Sequence, residues 1–318
     1  MANLHILPYP RALHWAHSVQ SRAIFPVFLI LLALTACANS TKAADTQRGD
    51  QSAFLKQCED WDDWEKPVPP FRIYGNTYYV GTCGISAILV AGDDGHILID
   101  GGSRGGGPLV EASIARLGFH IEDVKILLHS HEHYDHVGGL AYLQKKSGAQ
   151  VIASHGAAKA MASGSAQADD PQASDAETFE AVEVASTVGS YDFVSLGKLT
   201  LIPLETPGHT PGSLSWNWWS CEKTDCRLLV YMDSLTPVSS GNYRFSDHPD
   251  YVSTFEKSLS DLAKAPCDVL LTPHPSASKM LDRMQSDAGL ATKADCSWYP
   301  EAAAMRLRKR LGDEGASQ

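Results

Sequence analysis

One short stretch constrains this chain more than any other. His129-Ser130-His131-Glu132-His133-Tyr134-Asp135-His136 places four histidines and an aspartate within eight residues, directly after the apolar run Val124 to Leu128. An apolar run that stops abruptly in metal-ligating residue types reads as a strand delivering a loop to the edge of a sheet. Within it, His131-x-His133-x-Asp135-His136 holds what a zinc pair needs: neutral imidazoles for one ion, a carboxylate with an imidazole for the other. The bland alternative is a polar surface loop. His129, at the end of the buried strand, reads as a packed or supporting residue rather than a ligand.

The surroundings of this loop are those of an exported globular protein. The sequence has 318 residues, 44% hydrophobic and 20% charged, enough to bury a sizeable core. Net charge is −11, and no basic stripe is present, so nucleic acid is not an expected partner. An acidic shell does nothing to attract an anionic substrate, so any such attraction has to come locally, from metal. Residues 1–37 read as a signal peptide. Arg11 and Arg22 are the only charged side chains before Cys37, and the apolar run Ala23 to Leu34 is too short to span a bilayer comfortably. Leu34-Thr35-Ala36-Cys37 resembles a bacterial lipobox, which would leave Cys37 lipid-anchored, while Ala36-Cys37-Ala38 fits ordinary cleavage after Ala38; both readings stay open. Residues 38–52 read as a flexible tether and 53–318 as a single catalytic domain.

Export changes how the cysteines read. Beyond Cys37 the chain has Cys58, Cys83, Cys221, Cys226, Cys267 and Cys296, an even set that favours disulfides in an oxidising compartment. Order along the chain suggests Cys58–Cys83, Cys221–Cys226 and Cys267–Cys296. The Cys221-x-x-x-x-Cys226 spacing could also form a metal knuckle, but no second pair sits at similar spacing.

Taken in order, Cys58 to Pro70 reads as an extended arm laid over the domain. Strands are expected at 71–74, 78–80, 85–90, 96–99, 124–128, 151–153, 198–204, 214–219, 228–231 and 268–271. Helices are expected at 108–118, 136–146, 157–161, 248–264 and 301–311. Asp100, at a strand end before the glycine-rich run 101–107, is a candidate support for the metal loop; that run reads as a flexible connection rather than a phosphate cradle. Gly138-Gly139 allows close backbone packing near the site. Residues 162–187 lack periodicity and read as a long loop flanking a cleft. Pro and Gly hold His209 on one rigid turn and His274 on another. Strands and then a helix, repeated in the second half, predict two sheets face to face with helices outside, an α/β sandwich.

Three segments together carry a resemblance. His131-x-His133-x-Asp135-His136, Gly208-His209-Thr210-Pro211-Gly212 and Thr272-Pro273-His274-Pro275 resemble the metallo-β-lactamase superfamily, from about residue 71 to 297. More narrowly the chain looks like class B, subclass three. Asp135-His136 supplies a carboxylate and an imidazole together, Ser234 stands where other subclasses place a metal-binding cysteine, and Pro266 to Pro275 matches that subclass. The resemblance implies an αββα fold with the active site at the edge of the two sheets and two Zn2+ per chain. His131, His133 and His209 would hold the first zinc, and Asp135, His136 and His274 the second. Each set leaves an open position, as catalytic zinc requires. Ser234 and Thr236 would contact the substrate carboxylate, with Asn242 and Tyr243 as weaker candidates, and Asp135 could also accept a proton.

The implied activity is hydrolysis of the β-lactam amide of penicillins, cephalosporins and carbapenems by zinc-activated water, conferring antibiotic resistance. The expected enzyme is a periplasmic monomer acting on a small molecule, with a membrane link only through Cys37. Two rivals stand beside it. One is a hydrolase of the same fold, a glyoxalase-type thioesterase or a lactonase, which would use a bridging aspartate, and Asp233 lies one residue from that place. The other is a non-catalytic zinc-binding lipoprotein with closed coordination.

Overall fold

The computed structural model describes residues 51–286 and 289–316. The expected signal peptide, the lipobox at Cys37 and residues 38–50 of the expected tether lie outside the described residues. Residues 51–57 are helical, so the last two residues assigned to the tether belong to a helix.

The β5 strand, Val124–Leu128, lies inside the first sheet, paired on both edges. Its side chains alternate between two cores: Ile126 and Leu128 face the second sheet, and Leu127 faces the outer helices. A strand buried on both faces must be apolar nearly throughout, which is why this run carries so little polarity. The first sheet has the order β1 (Phe71–Tyr74), β2 (Thr77–Tyr79), β3 (Ile88–Gly92), β4 (Gly95–Ile99), β5, β6 (Gln150–Ser154) and β7 (Val184–Val188). Pairing is antiparallel from β1 to β4 and parallel from β4 to β7. The second sheet comprises β8 (Val194–Leu196), β9 (Leu199–Glu205), β10 (Leu214–Glu222), β11 (Asp225–Tyr231) and β12 (Val269–Leu271), in the order β12-β11-β10-β9-β8.

Between the sheets lie Ile88, Ile97, Ile99 and Leu128 from one side and Leu201, Trp216, Trp218, Leu229 and Tyr231 from the other. Each large apolar side chain buried there stabilises the fold by roughly 1.5–3 kcal/mol. Outside the first sheet, α1 (Gly106–Arg116), the one-turn α2 (Tyr134–Val137), α3 (Leu140–Ser147) and α4 (Ala158–Ser163) supply Val110, Ile114, Val137, Leu140, Leu143 and Met161 to a second core with Leu98 and Leu127. Outside the second sheet, α5 (Pro249–Lys264) and α7 (Trp298–Gly315) cover Leu228, Val230 and Leu270 with Phe255, Leu259, Tyr299 and Leu307. The short α6, Met280–Gln285, feeds the inter-sheet core through Met280, Leu281 and Met284. The layers run helix, sheet, sheet, helix, the αββα sandwich expected.

All three expected cysteine pairs are bonded: Cys58–Cys83, Cys221–Cys226 and Cys267–Cys296. The first pins the 58–70 arm to the β2–β3 connection and the third ties the start of β12 to the approach of α7. Closing loops of 25 and 29 residues stabilises by roughly 3 kcal/mol each in the chain-entropy picture.

Several element boundaries differ from expectation for visible reasons. The expected helix 136–146 is split at Gly138-Gly139, because the Gly139 backbone passes so close to Gly101 and Gly107 that a Cβ would stand 2.2 Å from Gly101 O. The loop expected at 162–187 is shorter at both ends, giving Ala162 and Ser163 to α4 and residues 184–187 to β7. β10 and β11 continue to the Lys223-Thr224 turn, where Cys221 and Cys226 face each other in register and their bond closes the ladder.

Candidate metal centre and cleft

Every candidate ligand is carried past the carboxyl end of a strand. β5 leads into His131–His136, β9 into the turn holding His209, β11 into Asp233–Thr236 and β12 into His274. Ligand sites in α/β sheets favour this end of the strands. The two sheets meet there through the hydrogen bond from Leu214 N to Ser130 O. At the foot of the His209 turn, Gly208 lies flat on the Phe255 ring, where a Cβ would come within 2.0 Å of Cδ2.

The structure brings all six expected ligands together. Ring centroids are 4.9 Å apart for His131 and His133, 4.8 Å for His131 and His209, and 5.0 Å for His133 and His209. His131 and His136 are 4.3 Å apart and His136 and His274 5.0 Å. The potential donor atoms of His131, His133 and His209 lie within 4.8 Å of one another, as do those of His131, Asp135 and His136. His274 joins the second group through Asp135, its Nε2 lying 3.3 Å from Oδ2.

Most of the rings are held from behind. His131 Nδ1 is 2.8 Å from Asp233 Oδ1, His133 Nε2 is 2.9 Å from Asp170 Oδ2, and His209 Nδ1 donates to Thr236 O at 2.9 Å. Each ring thus has one nitrogen engaged and the other left for the cluster, the arrangement that fixes tautomer and plane for a metal. Behind His136 lies Asp100, fully buried, whose carboxylate accepts from Ser130 N at 2.6 Å, Ser130 Oγ at 2.8 Å and Tyr231 OH at 2.7 Å. Asp100 has φ +64°, an unusual backbone for a non-glycine residue and one found at sites where geometry is imposed.

The residues suit a cation. Both ring nitrogens of His136 are buried without a hydrogen-bond partner, although Nε2 stands 3.0 Å from Asp135 Oδ2. A facing imidazole nitrogen and carboxylate oxygen with no hydrogen bond between them are satisfied together by a shared ion. Burial and the neighbouring charges set the protonation of the cluster. Burial and the neighbouring imidazoles hold His131 well below its ordinary value. Burial and the charge of His133 take His209 down to about 3. Burial alone would raise Asp135, but His136 and His274 outweigh it and hold it well below the usual carboxylate range. Burial opposes a charged His136, yet Asp135 and Asp100 push it up to about 10. Imidazole and carboxylate donors of this kind fit zinc.

Other expected residues fall in different places. Ser234 is buried and Thr236 half-buried. The Thr236 backbone supports His209, while Val238, Ser239 and Ser240 line the cleft in that segment. Asn242 and Tyr243 lie by a separate hollow with Arg244 and Arg310, and Tyr243 stacks on His248 at 4.3 Å. His129 is buried and stands outside the cluster: Nε2 accepts from Ser154 N at 2.9 Å, and burial takes it down to about 4. Asp233 has its Oδ1 committed to His131, and burial pushes it up to about 8.

Two supporting residues went unread in the sequence. Glu132, inside the motif, is buried and accepts from Thr210 Oγ1 at 2.7 Å and Gly212 N at 2.9 Å, clamping the His209 turn to the histidine loop. Asp170 sits in the long aperiodic loop, where its polarity resembles that of its neighbours. The cleft above the cluster has a volume of about 320 Å³, bordered by Trp64, His133, Asp135, Gln172, Glu177 and Val238. Trp61 and Trp64 of the N-terminal arm lie 5.9 and 6.1 Å from the His274 ring.

Comparison with known proteins places this geometry. The MIM-2 metallo-beta-lactamase structure is 51% identical with a TM-score of 0.80, covering 83% of this chain and 98% of that one. MIM-1 from Novosphingobium pentaromativorans is 47% identical with a TM-score of 0.81, covering 84% and 99%. MEM-A1, a subclass B3 metallo-beta-lactamase from a soil metagenome library, is 39% identical with a TM-score of 0.76, covering 80% and 100%. Curated relatives include hydroxyacylglutathione hydrolases. That of Nitrobacter hamburgensis is 32% identical over 143 residues, 45% of each chain. That of Anaeromyxobacter dehalogenans is 32% identical over 178 residues, 56% of this chain and 54% of that one. The match to these relatives spans about half their length. The family model of the metallo-beta-lactamase superfamily matches residues 80–274, and with the αββα fold and the histidine–aspartate cluster at its strand ends, the chain belongs to that superfamily.

Proposed function

We propose that this hydrolase opens the β-lactam ring of penicillins, cephalosporins and carbapenems, with zinc held by His131, His133 and His209 and a second zinc by Asp135, His136 and His274. The observation that carries the reading is the convergence of these six side chains beneath a cleft, on a fold about half identical to a metallo-beta-lactamase. Bound zinc would supply a nucleophile at neutral pH and polarise the reacting carbonyl.

The chain's own residues do the positioning. Asp233, Asp170 and the Thr236 carbonyl fix the three first-site rings. Asp135, whose side chain is 12% exposed, reaches the cleft and is the group able to take the proton of the attacking water and return it to the leaving amide nitrogen. The Ser234 and Thr236 hydroxyls are the proposed contacts for the substrate carboxylate, and Trp64 and Val238 offer apolar walls to its side chain. Three disulfides suit an oxidising compartment and so support a periplasmic location.

The thioesterase reading rests on the hydroxyacylglutathione hydrolases among the relatives. Against it, Asp233 holds His131 from behind through Oδ1. The test compares a chromogenic cephalosporin with a glutathione thioester, each with and without chelator. Chelator-sensitive turnover of the cephalosporin, with little of the thioester, is expected. The reverse preference would overturn the proposal.

A further inference from the structure

The loop between α4 and β7, residues 164–183, touches the metal centre and the cleft at once. Asp170 is buried on this loop, with Oδ2 2.9 Å from His133 Nε2 and Oδ1 accepting from Gln172 N at 2.7 Å. Gln172, Asp175, Ala176 and Glu177, immediately beyond, line the cleft. Across the cleft, Ser240 N donates to Pro171 O at 3.0 Å, and Ser174 Oγ and Ser240 Oγ are 2.7 Å apart. An imidazole engaged at Nε2 presents Nδ1 to whatever lies on its other side, so the Asp170 carboxylate selects both the tautomer and the plane of His133.

We infer that Asp170 is the positioning residue for His133 and that, through it, occupancy of the first metal position is coupled to the order of the cleft loop 164–183. The inference rests on the first zinc site proposed above. Coupling between sites is reciprocal: if loop order strengthens the hold on zinc, zinc strengthens loop order by the same factor. A substrate that displaces the loop therefore weakens the first zinc, and zinc loss opens the wall of the cleft.

The test uses the full protein stripped of metal and titrated with zinc against a competing chelator, alongside hydrogen exchange of residues 164–183. In the wild type, zinc binds and slows exchange across the loop. Asp170→Ala weakens the first zinc by about 10- to 100-fold and loses the zinc-dependent slowing. Asp170→Asn keeps an acceptor without the charge and falls between. Gln167→Ala, on the same loop but removing only a side chain that bonds to Ser163 and Ser165, leaves zinc affinity unchanged. Should Asp170→Ala bind zinc as the wild type does, or Gln167→Ala weaken it equally, the coupling is wrong while the zinc site stands. Failure of the wild type to bind zinc would overturn the zinc site itself and the inference with it. Far-ultraviolet circular dichroism of each metal-free variant checks the fold, and Asp170→Asn carries the test if Asp170→Ala does not fold.

Discussion

Asp135 borders the cleft and touches two of its partners, His136 Nε2 at 3.0 Å and His274 Nε2 at 3.3 Å. Removing its carboxylate leaves those two imidazoles without the anion between them and takes away the proposed proton acceptor. Asp135→Ala should lower kcat by at least about 100-fold and reduce zinc content by one ion per chain, measured by steady-state kinetics and metal analysis on the same sample. A variant with full activity and a single ion would remove Asp135 from the mechanism. The candidate ligands were legible in the sequence because His131, His133, Asp135 and His136 lie on one loop and His209 and His274 sit on stiff Pro/Gly turns. Their supports were less legible. Glu132 meets its partners 78 and 80 positions away and Asp170 meets His133 across 37. Nothing local marks a carboxylate whose role is created by a tertiary contact. Asp100 was foreseen because it closes a strand just before the glycine-rich turn.

At the scale of elements, the C-terminal helix α7 acts on the segment that follows Asp233–Thr236. Glu314, near its end, is buried and accepts from Ser246 N at 2.7 Å, Phe245 N at 3.3 Å and Arg310 Nε at 2.6 Å. Arg310 Nη2 also donates to Ser239 Oγ at 2.8 Å, so one helical turn holds both ends of the 239–246 stretch. Burial alone would raise the Glu314 carboxyl, but Arg310 and the backbone donors outweigh it and hold it below its ordinary value. A lowered carboxyl stabilises the fold above the ordinary carboxylate range, and that contribution is lost as pH falls through the lowered value. Glu314→Gln should therefore lower the melting temperature by roughly 5 °C near neutrality. The difference should shrink below about pH 4, and thermal melts across pH read it. A gap that stays constant into acid would show that the charge is not what holds the segment. Helix α7 runs from Trp298 to Gly315, beyond the expected 301–311, with Pro300 in its first turn, where its missing N–H costs nothing. Strand β8 and helix α6 were missed because three and six residues carry too little periodicity to register.

For the whole molecule, the candidate zinc ligands form a clip between layers. His131, His133, Asp135 and His136 belong to a loop of the first sheet, and His209 and His274 to loops of the second. The two sheets share an apolar core along their length, but at this end they share titratable groups, several of them buried. Five imidazoles drawn together with one carboxylate among them are a poor way to close a sandwich unless a cation joins them. Binding energy at such a site adds to folding energy, because the unfolded chain does not gather ligands from both halves. At zinc concentrations 100-fold above the dissociation constant, one site contributes about 2.7 kcal/mol. For a domain of this size that corresponds to roughly 5–10 °C in melting temperature. Chelation should lower the melting temperature by that amount or more, and zinc added in excess over chelator should restore it. The Asp135→Ala variant should show a smaller zinc-dependent rise than the wild type, since it keeps only the His131, His133 and His209 set. Differential scanning fluorimetry over a zinc titration gives both numbers. If chelation left the melting temperature unchanged while removing the metal, the ions would be bound to one sheet alone, and the clip across the two layers would be wrong.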